Sequence, residues 1–419
     1  MEGLRYAYGI LARPLFGLFG ARRASSERLS DSPLYLPRNP IVGWHNVSGA
    51  RRASVPDVST LPHIVLATSG RAAIALALDE LGIGHGERVL VPSFHCPTMV
   101  SPIVARGARP VFFPIGRAGT PLIDRFDGLD IAGARAMLAV HYFGIPRDLG
   151  ATREFCDRHG IALLEDCAHA YFGAFGGRPV GTWGDLAIAS LTKFFPVVEG
   201  GCLVSARRPI ARSRLDSGGM VHDLRQALDM VEIAAHYGRL QPLSGVLRAI
   251  FGFKRRIRHR PPLQVTQPEE RLPANDDGTA AFDRERVHRR PAATTRLIVG
   301  RSDRARIAER RRSNYTLLSR QLDGVRGLTP LTPELPDGAV PYVFPLHVSS
   351  PERSYQAVRR AGVPIFRWDV LWPGVPQLRD DVGTEWATHV FQLACHQDLA
   401  ERDICAIAGI VRRIAQSPA

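Results

Sequence analysis

Between Ile64 and Val204 the chain alternates short apolar runs with helix-like stretches, and this alternation restricts it to a layered α/β fold with a mainly parallel sheet. "IVLAT" reads as a buried strand, "SGRAAIALALDEL" as a turn and helix, and "RVLVPS" as the next strand. The pattern continues through "ARPVFFPI", "ARAMLAVHYFG", the helix "DLGATREFCDRHG", the strand "IALLED", and then "DLAIASLTK" and "GGCLVS". Residues 46–206 are therefore expected to form a large α/β domain. A length of 419 residues with 45% hydrophobic content leaves room for a second, smaller domain. Residues 321–419 alternate again, with "VPYVFPLHV" and "YQAVRRAGV", and read as a small C-terminal α+β domain. The arginine-rich helix within 286–320 completes the large domain.

Two segments depart from the pattern. Residues 1–45 mix apolar residues with arginines and read as an N-terminal arm. Residues 207–285 read as an atypical basic insertion: the helical stretch "LRQALDMVEIAAHYGRL" leads to a basic run over 254–260. The formal charge of +14 favours an anionic partner, such as a phosphorylated or nucleotide-linked substrate or an acidic membrane surface touched by residues 1–23 or 254–260. No nucleic-acid-binding module is recognisable, so nucleic acid is not expected as a partner. The six cysteines show no CxxC spacing, and neither a disulfide framework nor a metal site is expected. No run of about 18 apolar residues occurs, and the start lacks a signal-peptide pattern, so the expected location is the cytoplasm.

The chemistry concentrates between Ile161 and Val204. An apolar strand delivers Glu165 and Asp166 to its carboxyl end, where ligands of open α/β sheets bind. An acid in that place suits a cationic ring nitrogen, the partner that pyridoxal phosphate (PLP) requires to act as an electron sink. Ser190-Leu-Thr-Lys193 follows another strand, so a hydroxyl can meet the cofactor phosphate while the amine reaches its aldehyde. Only two lysines occur in the chain, Lys193 and Lys254, which sharpens that assignment. Glycines in "EGGCLVS" permit a tight turn. Upstream, Ser69-Gly70-Arg71 opens a helix and offers its N-terminus to a phosphate.

With these residues in place, the chain resembles the DegT/DnrJ/StrS group of PLP-dependent sugar aminotransferases. The resemblance covers residues 45–206 well and 285–419 loosely. It is carried by "TSGRAAIALAL", "GERVLVPSF", "VHYFG", "GIALLEDCAHAYFG", "GTWGDLAIASLTK" and, late in the chain, "FQLACHQDL". It implies the PLP-dependent transferase fold type I and a homodimer. Lys193 would be the Schiff-base lysine and proton carrier, and Asp166 the partner of the pyridine nitrogen. Ser190 with Ser69, Gly70 and Arg71 would hold the phosphate, and His169 would touch the ring oxygen. The implied reaction moves an amino group from an amino acid, glutamate, to a nucleotide-linked keto-sugar in surface-polysaccharide or secondary-metabolite biosynthesis.

Three departures from the family pattern stand out. Cys96 occupies the position where many members stack an aromatic residue on the cofactor ring; His95 is the expected substitute, with Phe94 next. The phosphate serine lies three rather than five positions before the lysine. His288 and Arg290 stand in a stretch where the family carries an asparagine that reaches the neighbouring subunit. His141, Tyr142 and the arginines of the insertion are candidates for the acceptor pocket. Arg367, Trp368 and Trp372 in "FRWDVLWPG" would either stack on a sugar or base, or pack one domain on the other. The same lysine and aspartate also serve other PLP reaction types, and a catalytically inactive scaffold of a polysaccharide assembly is the remaining alternative.

Overall fold

Seven strand-length apolar runs meet in one sheet in the computed structural model, which describes residues 33–47, 53, 55–211, 215–257 and 282–417. In chain order the first half contains β1 (His63–Ala67), α1 (Gly70–Glu80), β2 (Arg88–Pro92), α2 (Pro97–Ala105), β3 (Arg109–Phe113), β4 (Ala134–Val140), α3 (Gly150–His159) and β5 (Ala162–Asp166). A two-strand hairpin, β6 (Ala174–Phe175) and β7 (Arg178–Pro179), precedes β8 (Leu186–Ser190) and β9 (Gly201–Ser205).

The sheet order is β1-β9-β8-β5-β4-β2-β3. Neighbours from β8 to β3 pair in parallel, whereas β9 runs antiparallel to both β8 and β1. The central strands β5, β8 and β9 are almost wholly buried, as expected for a sheet covered on both faces. α1 owes its place to composition: Ala72 to Leu78 are all buried, and the alanines let the helix pack closely on β8, β9 and α2.

Beyond β9 come α4 (Gly219–His236), α5 (Ser244–Ile257), α6 (Ala293–Arg301) and α7 (Arg304–Leu322). α4 and α5 occupy much of the expected insertion, and together with α6 they expose Met220, Val221, Leu224, Val246, Phe253 and Leu297. The arm over 1–23 and residues 258–260 of the basic run lie outside the described residues. Among the described residues, no helix is long and apolar enough to cross a membrane.

A second sheet is built from β10 (Leu328–Pro330), β11 (Val343–Val348), β12 (Ile365–Phe366) and β13 (Val390–Ala394), all antiparallel, in the order β10-β11-β13-β12. α8 (Pro351–Arg360), α9 (Gly383–His389) and α10 (Glu401–Gln416) accompany it. Its core joins Tyr315, Leu318 and Leu322 of α7 to Phe344, Phe391, Ile404 and Ile407. Each such large apolar side chain contributes about 1.5–3 kcal/mol when fully buried. A large mainly parallel sheet with a small antiparallel one beside it is the expected fold type.

Candidate active site

Successive residues of a strand face opposite sides, so the two acids at the end of β5 have separate fates. Glu165 points into the protein and is fully buried. Its Oε1 accepts from the Gly181 N–H at 2.6 Å and from His141 Nε2 at 2.9 Å; its Oε2 accepts from the Trp183 and Gly184 N–H groups at 2.9 and 3.1 Å. His141 Nδ1 accepts the Arg147 N–H at 3.0 Å, so Nε2 carries the ring proton. Burial alone would push the Glu165 pKa up, yet these hydrogen bonds hold it below its ordinary value. Glu165, His141 and the nearby Cys167 are close enough to hold a metal ion, but this hydrogen bonding engages the carboxylate and the imidazole in fixing the loop over residues 181–184.

Asp166 faces the other way, into a cavity of about 210 Å³. It is 2% exposed, and Oδ1 accepts from the Ala168 N–H at 2.8 Å. Burial raises its pKa, with the Ala168 N–H and the Lys193 charge drawing it back. Such a carboxylate gains from a cationic partner. β8 lies parallel to β5 with Ile188 opposite Asp166, so Ser190 and Lys193 emerge at the same sheet end. Both line the cavity, and Lys193 Nζ lies 5.3 Å from the centre of the Tyr342 ring.

The same cavity receives the N-terminus of α1. Ser69 is its N-cap and accepts from the Ala72 N–H at 3.2 Å, and Gly70 and Arg71 form the first turn, a ready anion site. Gly201 of β9 backs this turn so tightly that a Cβ there would lie 2.4 Å from the Ser69 carbonyl carbon. Gly200, with φ of 132°, makes the bend leading into it. His169 also lines the cavity. Phe143, in a left-handed conformation at φ 63°, donates its N–H to His169 Nδ1 at 3.3 Å, which leaves the ring proton on Nε2. That Nε2 is buried with no hydrogen-bond partner among the described residues, and burial holds the imidazole well below its ordinary pKa, hence neutral. A neutral imidazole N–H donor, a buried carboxylate, an amine and an anion cradle around one cavity together fit PLP.

Of the residues singled out in the sequence, Lys193, Asp166, His169, Ser190, Ser69, Gly70 and Arg71 meet in this cavity. His95 does not, and the stacking role expected of it is corrected. Its ring lies against Phe112 at 5.1 Å, Nδ1 bonds to the Pro92 carbonyl at 2.9 Å, and Nε2 accepts the Trp372 N–H at 3.0 Å. Phe94 is likewise core, packed on Trp368 at 5.0 Å. Cys96, the N-cap of α2, lines the cavity instead. Tyr142 is buried and donates to the Phe94 carbonyl, so neither it nor His141 forms part of the cavity wall. Trp368 lines the cavity, whereas Arg367 pairs with Asp369. Arg290 and His288 lie elsewhere, the former bonded through its N–H to the Asp216 carbonyl. Arg38, Asn39, Tyr342 and Phe366 also line the cavity and carried no local sequence signal, because distant segments bring them there.

An α/β transferase fold with a lysine and an aspartate at the carboxyl ends of adjacent strands defines the class. Residues 57–238 match the sequence profile of the DegT/DnrJ/EryC1/StrS aminotransferase family. The chain is 36% identical over 174 residues to a GDP-perosamine synthase of Vibrio cholerae, a match covering 40% of this chain and 47% of that protein. The matched stretch thus spans about half the length of that curated relative. The fold is similar to that of S. venezuelae DesV in complex with a ketimine intermediate, with TM-score 0.57, 22% identity, and 88% and 92% of the two chains covered. It is also similar to NtdA of Bacillus subtilis with bound cofactor PMP, with TM-score 0.54, 17% identity, and 85% and 74% covered.

Proposed function

We propose that the protein is a PLP-dependent aminotransferase that transfers the amino group of an amino acid, glutamate, to the ketone carbon of a nucleotide-linked sugar. The observation that carries this reading is the meeting of Lys193, Asp166 and the Ser69-Gly70-Arg71 turn around one cavity. When bound, PLP supplies the electron sink that lets a proton leave a carbon next to nitrogen. Lys193 Nζ would hold the cofactor's aldehyde carbon and, once displaced, would take and return the proton of the donor's α-carbon. Asp166 would keep the ring nitrogen protonated. The α1 turn and Ser190 would fix the phosphate, and His169 Nε2 would donate to the ring oxygen. Trp368 and Tyr342 line the same cavity, with the Tyr342 ring centre 5.3 Å from Lys193 Nζ. The nucleotide-linked sugar is supported by the GDP-linked product named in the Vibrio cholerae relative. The family resemblance also implies a homodimer, checked by sedimentation.

The test is a two-stage spectrum of the PLP-loaded protein. Glutamate should bleach the visible cofactor band, and a GDP- or UDP-linked keto-sugar should restore it with formation of an amino sugar. A band that no α-amino acid bleaches would contradict transamination. Bleaching that no keto-sugar reverses would leave the donor half standing and reject the acceptor.

A further inference from the structure

We infer that Arg38 is the receptor for the α-carboxylate of the amino donor, an inference that rests on the aminotransferase reading of the cavity. Among the described residues, three cationic side chains line the cavity: Lys193, Arg71 and Arg38. In that reading Lys193 is committed to the cofactor, and Arg71 belongs to the anion-binding turn of α1. Arg38 enters from another side, on the extended segment before the large sheet.

That segment is fixed on both sides of Arg38. The Leu34 N–H donates to the Ala361 carbonyl at 2.9 Å, His396 Nε2 donates to the Pro37 carbonyl at 3.0 Å, and the Ile41 N–H donates to Asp398 Oδ2 at 3.1 Å. The Arg38 guanidinium carbon sits 3.7 Å from the centre of the Phe366 ring, and Phe366 itself lines the cavity. Stacking of this kind fixes the guanidinium plane and leaves its N–H edges for a planar acceptor. Arg38 Nε is buried and has no hydrogen-bond partner among the described residues.

A desolvated donor edge on a permanent cation calls for an anion, and a carboxylate matches its fork with two parallel bonds. The carboxylate on the cavity wall, Asp166, sits at the end of β5 with a different assignment. The α-carboxylate of an amino acid is two bonds from the nitrogen that must reach the Lys193 position, so its receptor must lie within the same cavity. The phosphates of a nucleotide-linked sugar are separated from the ketone carbon by the sugar ring itself.

The test is calorimetric binding of 2-methylglutamate, which carries the α-carboxylate but has no α-proton to lose. It is titrated into PLP-loaded wild type, Arg38→Lys and Arg38→Gln, with UDP titrated in parallel. Arg38→Gln is expected to weaken 2-methylglutamate on the order of 10- to 100-fold, and Arg38→Lys less, with UDP affinity and the cofactor band unchanged. Equal affinity in wild type and Arg38→Gln overturns the inference. So does a loss confined to UDP, which would assign Arg38 to nucleotide phosphates. A wild type without a cofactor band contradicts the aminotransferase reading, and the same titrations on that protein still decide whether Arg38 binds a carboxylate.

Discussion

Arg311 Nη2 donates to the carbonyl oxygen of Lys193 at 2.7 Å, so the backbone of the candidate catalytic lysine is tied to a fully buried cation on α7. The same guanidinium donates to Gln397 Oε1 at 2.7 Å and to the Pro341 and Tyr342 carbonyls at 3.0 and 3.1 Å. Gln397 in turn donates to the Phe194 carbonyl at 2.8 Å. The segment carrying Lys193 is thereby joined to the small sheet, and burial lowers the Arg311 pKa only to about 10, so it stays charged at neutral pH.

Arg311→Met is expected to leave several buried acceptors without donors. It should destabilise the protein by about 3 kcal/mol or more and weaken cofactor binding along with stability. Urea unfolding and a PLP titration check both; wild-type values would show that the network holds neither the fold nor the lysine.

Stability is expected to fall on mild acidification, before most carboxylates titrate. Burial lowers the pKa values of His95 and His396 to about 4, well below the unfolded value of about 6.5. The folded state therefore binds fewer protons. Its advantage is complete above about pH 6.5 and is lost as pH falls toward 4, at roughly 1.4 kcal/mol per pH unit for each histidine. Urea midpoints at several pH values measure the slope, and His396→Gln should reduce it. An identical slope in that variant would remove His396 from the account.

Asp166→Asn should retain cofactor, because the phosphate turn and Lys193 are untouched, yet lose turnover on the order of 100-fold or more. The measurement is single-turnover bleaching of the cofactor band by glutamate. A wild-type rate would show that the carboxylate does not face the ring nitrogen.

Asp166 and Lys193 were legible in the sequence because each sits at or just beyond a strand end, and strand ends are set by local apolar runs. His95 was misread because its neighbour at the cavity is decided by the entry angle of α2: Cys96 caps that helix at the cavity, while His95 turns back onto Phe112. Glu165 looked like a second candidate acid, and only strand alternation separates it from Asp166. Arg311 stood within a run of arginines whose individual burial depends on which face of α7 meets β11 and the loop before α10. Arg38 gains its place from hydrogen bonds to Ala361, His396 and Asp398, more than 300 positions away, a relation no local pattern carries.

The most direct test of the central claim is borohydride reduction of the PLP-loaded protein followed by peptide mapping, for wild type, Lys193→Ala and Lys254→Ala. The account predicts that the reduced cofactor is found on Lys193, that Lys193→Ala loses the visible band, and that Lys254→Ala keeps it. A label on Lys254, or an unchanged band in Lys193→Ala, would contradict the assignment of the site.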